Sequence, residues 1–174
     1  MFPYTRLRRL RKSAWLRDLV SECNLSTDDL ILPIFIKEGK NLKEEINSMP
    51  GVYRLSIDEC EKLVRQASGL GIKAIALFPS VDNELKSEDG AEGYNQDNLI
   101  CRCIRHLKNC EFNIGIIADV ALDPYTTHGH DGIFENGIVD NDKTIEALKL
   151  QSLALAKSGA DIIEPSDMMD GRIG

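Results

Sequence analysis

The run Ile117–Gly132, IADVALDPYTTHGHDG, gathers Asp119, Asp123, His128, His130 and Asp131 directly behind a short apolar stretch, Ile114–Ala118. Clustered carboxylates bind hard cations such as Mg²⁺, or hold a substrate ammonium group. In an extended segment alternate residues share a face, so Asp119, Ala121 and Asp123 are expected to point together. Pro124 then bends the chain away, and Asp131 returns on the loop. The plainer reading is a solvated acidic loop with Asp as turn former. His128 and His130 form an H-x-H pair that suits metal ligation or proton shuttling. Such residues also commonly hydrogen-bond a loop to itself.

An apolar strand, then a carboxylate, then a long polar loop is how parallel α/β folds build sites at strand C-termini. Three further strands are expected, at Leu30–Ile36, Ala74–Phe78 and Asp161–Glu164. Helical patterns lie between them. Ser13–Glu22 precedes the first strand. Ile57–Leu70 has apolar residues at Ile57, Cys60, Leu63, Val64 and Ala67, a helical spacing, with Gly71 as its stop. Asn98–Cys110 is a second helix of this kind. Asn141–Ser158 is a third, with Asn141 or Asp142 as N-cap and Gly159 just past its end. Short buried strands alternating with helices mean βαβ units and a parallel sheet. The first strand-to-strand interval, roughly forty residues, suits half of an eight-fold β/α barrel. A small doubly wound sheet is the alternative. The expected domains are an N-terminal arm and helix over 1–25 and the first half of a barrel over 26–174.

A net charge of −7 argues against a general nucleic-acid binder. No apolar run approaches the roughly 20 residues of a membrane span. Five cysteines, an odd count without a signal peptide, suggest reduced thiols in a cytoplasmic protein. Cys101 and Cys103 fall in an expected helix, where an i,i+2 pair diverges and is poorly placed to share a metal. The N-terminus is basic through Arg6, Arg8, Arg9, Arg11, Lys12 and Arg17. It resembles a transit peptide or a nucleic-acid arm in charge. An arm packed on a partner subunit is the preferred reading, because an arm needs an external surface to be ordered. Ser80–Tyr94, polar and following the second strand, suits a flap or a subunit contact.

DVALDPYTTHGHDG resembles the metal-loop signature of the 5-aminolevulinate dehydratase (porphobilinogen synthase) family. TRLRRLRKSAWLRDLVSE resembles the family's arm, and LSTDDLILPIFIKEG its first strand. MPGVYRLSID, ALFPSVDNELKSEDGAEGYN and EPSDMMDGRIG match in order, so the likeness covers essentially the whole chain. The resemblance implies a β/α (TIM-type) barrel, usually octameric, in which N-terminal arms embrace neighbours. It implies a lyase that condenses two 5-aminolevulinate molecules into porphobilinogen with loss of two waters, in tetrapyrrole and heme biosynthesis. Lysine Schiff bases with the substrate ketones carry that chemistry. Asp119 matches the active-site aspartate expected to hold a substrate amino group. Ser166 matches a serine expected to hydrogen-bond in the same site, and otherwise reads as a helix N-cap. Both are expected catalytic and substrate-binding residues, joined in substrate binding by Asp123 and Asp131.

Zinc-using members carry three cysteines at positions matching Ala121, Asp123 and Asp131. A thiolate zinc site is therefore not expected, and oxygen ligands suit Mg²⁺. Asp123 and Asp131 are the candidate metal residues, although the family's best-known activating Mg²⁺ site uses residues later in the barrel. The family's two Schiff-base lysines are expected beyond Gly174. On that reading, 26–174 is half a barrel with two open sheet edges and no final helix, and the piece alone is inactive. Lys37, just after the first strand, is the one lysine placed as a barrel nucleophile would be, though a solvated surface lysine fits it better. Two other readings stand: a non-catalytic half-barrel interaction subunit, and a different aldolase-like barrel using Lys37.

Overall fold

The computed structural model describes residues 1, 3–5 and 7–174; Phe2 and Arg6, the latter counted in the basic arm, lie outside the described residues. After a short helix α1 (Ala14–Leu19) the chain runs β1 (Ile31–Lys37), β2 (Lys43–Glu45), β3 (Tyr53–Leu55), α2 (Ile57–Gly69) and β4 (Ala74–Ser80). It continues through α3 (Leu99–Asn109), β5 (Gly115–Val120), β6 (Ile133–Glu135), β7 (Ile138–Asp140), α4 (Asn141–Ser158) and β8 (Ile162–Pro165). The four expected strands are present as β1, β4, β5 and β8, each displaced by a residue or two at its ends.

The main sheet has the order β2-β3-β1-β4-β5-β8, and every neighbour pair from β3 to β8 is parallel. Consecutive βα units therefore add to the same side of the sheet. The inward stripe of each helix packs on one face of it. Cys60 and Val64 of α2, Ile104 and Leu107 of α3, and Leu148 and Leu155 of α4 share a core with Ile34, Ile36, Ile75, Leu77, Ile116, Ala118 and Val120. A doubly wound sheet would place helices on both faces. One helical face with sequential strands is the winding of a β/α barrel wall, here its first part. The opposite face carries Pro33, Phe35, Ala76, Phe78, Ile117 and Asp119 by strand alternation. Phe35 and Phe78 pair across it with ring centroids 5.7 Å apart.

The sheet keeps two open edges, and the first of them is the exposed β2 rather than β1. Tyr53–Leu55 folds back so that Arg54 and Leu55 register against Phe35 and Ile36 of β1, with β2 antiparallel outside it. Three-residue strands carry no periodic signal, which is why alternation in the sequence did not reveal them. The other edge is β8, where Ile162 is 52% exposed. Helix ends are set by local chemistry. The Asn98 carboxamide accepts from the Cys101 N–H at 2.8 Å and starts α3. Asp140, rather than Asn141 or Asp142, caps α4 by accepting from the Lys143 N–H at 3.1 Å. Asn141 instead clasps the C-terminal segment, accepting from the Asp170 N–H at 2.8 Å. Gly159, at φ +105, terminates α4 in the left-handed conformation expected of it.

Cys101 and Cys103 are both fully buried and diverge as the spacing predicts. Cys101 faces Ser158 of α4, and burial pushes its thiol up. Cys103 faces Cys60 of α2, whose contact and burial raise it well above the ordinary range. No helix among the described residues is long and apolar enough to cross a membrane.

Candidate active site

Asp119 is the fifth residue of β5, half-buried, on the sheet face opposite the helices. Its partner in register is Glu164 of β8, which places Ser166 just beyond the neighbouring strand end. Burial raises the Asp119 carboxyl above its ordinary range, the Ser166 hydroxyl beside it draws it back, and Asp123, Asp131 and Glu164 push it up again. Asp119 and Ser166, separated by forty-seven positions in sequence, thus share one site. No helix starts at Ser166: residues 166–174 form bends and turns, so the N-cap reading does not hold.

Asp123 reaches the site differently from the expected route. Extended structure ends at Val120, and Leu122 opens a turn whose carbonyl accepts from Tyr125 N at 2.8 Å and Thr126 N at 3.0 Å. The Asp119, Ala121, Asp123 alternation therefore breaks: Ala121 is buried while Asp123 sits exposed on the turn. Its carboxyl is still raised, first by lost hydration and then by Asp131, with Lys86 opposing. Asp131 returns under the loop, where its Oδ1 accepts from the Leu122 N–H at 2.7 Å. Burial raises it despite that bond, and Asp167 adds repulsion. Asp119 and Asp123 are each raised in part by Asp131, and Asp131 in turn by Asp167, so like charges crowd this strand end, a repulsion that a cation would relieve.

The loop is braced from both sides. Ser87 of the β4–α3 connection bridges to Thr126: its N–H donates to Tyr125 O at 3.1 Å and its carbonyl accepts from Thr127 N at 3.0 Å. Ser80–Tyr94 therefore packs on the acidic loop. His130 N–H donates to His128 Nδ1 at 3.1 Å, so His128 Nε2 carries the proton directed at the Glu88 carbonyl 3.0 Å away. His130 stacks on Phe134 with centroids 4.6 Å apart. The H-x-H pair thus clasps the loop to itself and to Glu88. Beneath, Gln151 of α4 donates to the Ala121 carbonyl at 3.0 Å.

Lys37 is held by Glu44, with Nζ 2.6 Å from Oε2, so its amine is engaged in an ion pair. Sequence reasoning missed Asp167, which is 2% exposed with Oδ2 lacking a hydrogen-bond partner while Oδ1 accepts from Met169 N at 2.7 Å. Its place directly after Ser166, at a strand C-terminus, was the available signal. The oxygen donors of Asp123 and Asp131 fit a hard cation, and Ala121 supplies no donor, so the loop does not fit a thiolate zinc site.

These features define a class: β/α-barrel proteins that gather polar side chains at the C-terminal ends of the strands, where such folds build their sites. The family model described as Delta-aminolevulinic acid dehydratase matches residues 4–174, and the chain belongs to that family. A Bradyrhizobium diazoefficiens Delta-aminolevulinic acid dehydratase is 49% identical over 168 residues, covering 97% of this chain and 48% of the relative. The Chlamydia pneumoniae protein of that name is 48% identical over 169 residues, covering 97% and 51%. The crystal structure of the Toxoplasma gondii ME49 enzyme, in complex with its reaction product porphobilinogen, superposes with a TM-score of 0.94 at 45% identity. That match covers 97% of this chain and 48% of the other. The chain spans about half the length of the curated relatives it matches.

Proposed function

We propose that this chain supplies the first half of a porphobilinogen synthase site, which condenses two 5-aminolevulinate molecules and releases two waters. The observation that carries the reading is Asp119 beside Ser166 on adjacent strand ends, within a ring of further carboxylates. A substrate ammonium group placed there pairs with Asp119, and its charge relieves the repulsion among Asp119, Asp123 and Asp131. An amine must lose a proton before it attacks a ketone. A carboxylate whose proton affinity is raised by burial is suited to take that proton. Ser166 orients the carboxylate and the bound amine by hydrogen bonding. The Schiff-base lysines belong to the part of the family's length that this chain does not span.

Mg²⁺ is the metal this reading favours. Asp123 and Asp131 would hold it near the loop, where it would supply positive charge to neutralise carboxylates. The same reading gives a cytoplasmic homo-oligomer joined through its basic arm, with no nucleic-acid or membrane partner. The domain division at 25/26 and the octamer belong to it as well.

The test joins this chain to the second half of the Bradyrhizobium diazoefficiens relative and assays porphobilinogen formation and borohydride trapping of 5-aminolevulinate. Turnover and a trapped adduct are expected. Asp119→Asn should lower kcat/KM about 10- to 100-fold, the worth of one charge-assisted hydrogen bond. A folded hybrid that traps no substrate would falsify the assignment.

A further inference from the structure

A second set of donor atoms lies between α2 and α3, among residues with no part in the acidic site. His106 Nε2 is 2.9 Å from Glu61 Oε2, and Cys110 Sγ is 4.0 Å from the same nitrogen. One ligand atom from each of the three lies within 4.8 Å of the others, the one such grouping of His, Cys, Asp and Glu among the described residues. His106 and Cys110 are an i,i+4 pair at the end of α3, so they stand on one face of the helix. Glu61 meets them from the second turn of α2.

A hydrogen bond between helices would account for Glu61 and His106 alone. It does not by itself account for Cys110, whose thiol bonds to the His106 carbonyl at 3.3 Å and still stands 4.0 Å from the imidazole nitrogen, or for the second hold on Glu61. Arg65 Nη2 holds Glu61 Oε1 at 2.8 Å, and its guanidinium lies 5.1 Å from the Phe112 ring centroid. One carboxylate oxygen is thereby fixed and the other is aimed at the imidazole. An outer partner that orients a carboxylate in this way is a recurrent part of metal sites. Bonds of about 2.0–2.3 Å to nitrogen, oxygen and sulfur put tetrahedral ligands roughly 3.3–3.8 Å apart. The separations of 2.9 and 4.0 Å bracket that range, so small side-chain adjustments suffice. The side chains of His106 and Glu61 are 42% and 27% exposed, which leaves a path for the ion and a solvent-facing fourth position.

We propose that Glu61, His106 and Cys110 form a three-ligand zinc site on the outer helical layer, with water as the fourth ligand. The mixed carboxylate, imidazole and thiolate set favours Zn²⁺ over Mg²⁺ by ligand softness. On binding, the thiol proton that now points at the His106 carbonyl, 3.3 Å away, leaves to solvent. The proton that His106 Nε2 now shares with Glu61 leaves that nitrogen, so the neutral imidazole carries its one proton on Nδ1 and presents the Nε2 lone pair to the metal. This inference is independent of the function proposed above.

Titration of the 174-residue chain with Co²⁺ as an optical stand-in for Zn²⁺ is the test. A thiolate-to-cobalt charge-transfer band should saturate at one cobalt per chain, cobalt on the oxygen ligands of the acidic loop giving no such band, and added Zn²⁺ should remove it. Cys110→Ser should abolish it. His106→Gln and Glu61→Gln should each weaken binding at least about tenfold, the lower bound for disturbing a metal site. Cys23→Ser, at an exposed cysteine, and Asp131→Asn should leave the band unchanged. No band in the wild type, a band surviving Cys110→Ser, or one lost with Cys23→Ser would overturn the proposal. A readout without variants stands beside it. Zn²⁺ should slow alkylation of Cys110 relative to Cys23, as mapped by mass spectrometry, and equal rates would also overturn the site.

Discussion

Asp131 is where the chemistry of the acidic loop and its stability meet. Its carboxylate satisfies the Leu122 N–H, yet burial and Asp167 hold its pKa above the ordinary range. A carboxyl raised on folding favours the folded state while protonated. That contribution is complete below the unfolded pKa of about 4 and is lost as pH rises through the folded value. Asp131→Asn keeps an oxygen for Leu122 and removes the charge. The variant should therefore melt at a higher temperature than the wild type at pH 7, with the difference closing by about pH 3. Thermal unfolding followed by circular dichroism across that range measures it. A variant less stable at neutral pH would show that the Leu122 bond needs a full negative charge. The same charge makes the site useful, since an ammonium group or Mg²⁺ would offset the repulsion that the Asn variant removes. Either ligand should raise the melting temperature of the wild type more than that of the variant.

The acidic loop is positioned by the elements that receive it, β6, β7 and the start of α4. Thr144 Oγ1 accepts from the Ile133 N–H at 2.9 Å and donates to the Asp140 carbonyl at 2.6 Å, tying both sides of the hairpin to the helix. Gly132, immediately after Asp131, passes so close that an added Cβ would lie 2.5 Å from Val139 Cγ1 and 2.9 Å from Thr144 Oγ1. Gly132→Ala should cost about 1–3 kcal/mol, the usual toll of overpacking. It should also displace Asp131, so denaturant unfolding and ligand binding ought to suffer together. An unchanged denaturation midpoint would mean that the hairpin yields freely. None of this bracing was legible in the sequence. The long apolar strands and the helices of α2, α3 and α4 were, because their period survives over many residues. The residues of the site were legible through their order along the chain and their likeness to a family. The route of their convergence was not, since Asp123 arrives by a turn rather than by strand alternation. The β2–β3 and β6–β7 pairings are three-residue strands whose register depends on contacts distant in sequence. Asp167 was overlooked because a polar residue after a strand reads equally well as a cap.

At the scale of the molecule the arm is the part that the fold does not bury. Among the described residues of 1–25 none is buried, and Tyr4, Leu7, Trp15, Leu19 and Leu25 are between 67% and 96% exposed. So many large apolar side chains on one segment fit the proposed contact of the arm with a partner. The arm carries six basic residues against two acidic ones, on a chain whose net charge is −7, so the remainder is strongly acidic. Arm and body are thus complementary in charge, which fits an arm laid on a second copy of the chain. Deleting residues 1–25 should leave the sheet and its three packed helices intact, because none of their core residues lies there. It should lower the mass in sedimentation to that of smaller species. In the intact chain, raising salt should weaken association in part, since screening removes the charge contribution and leaves the apolar one. A truncated chain that loses its cooperative melt would place the arm in its own core. One that sediments unchanged would move the contact to β8, where Ile162 lies open at the sheet edge.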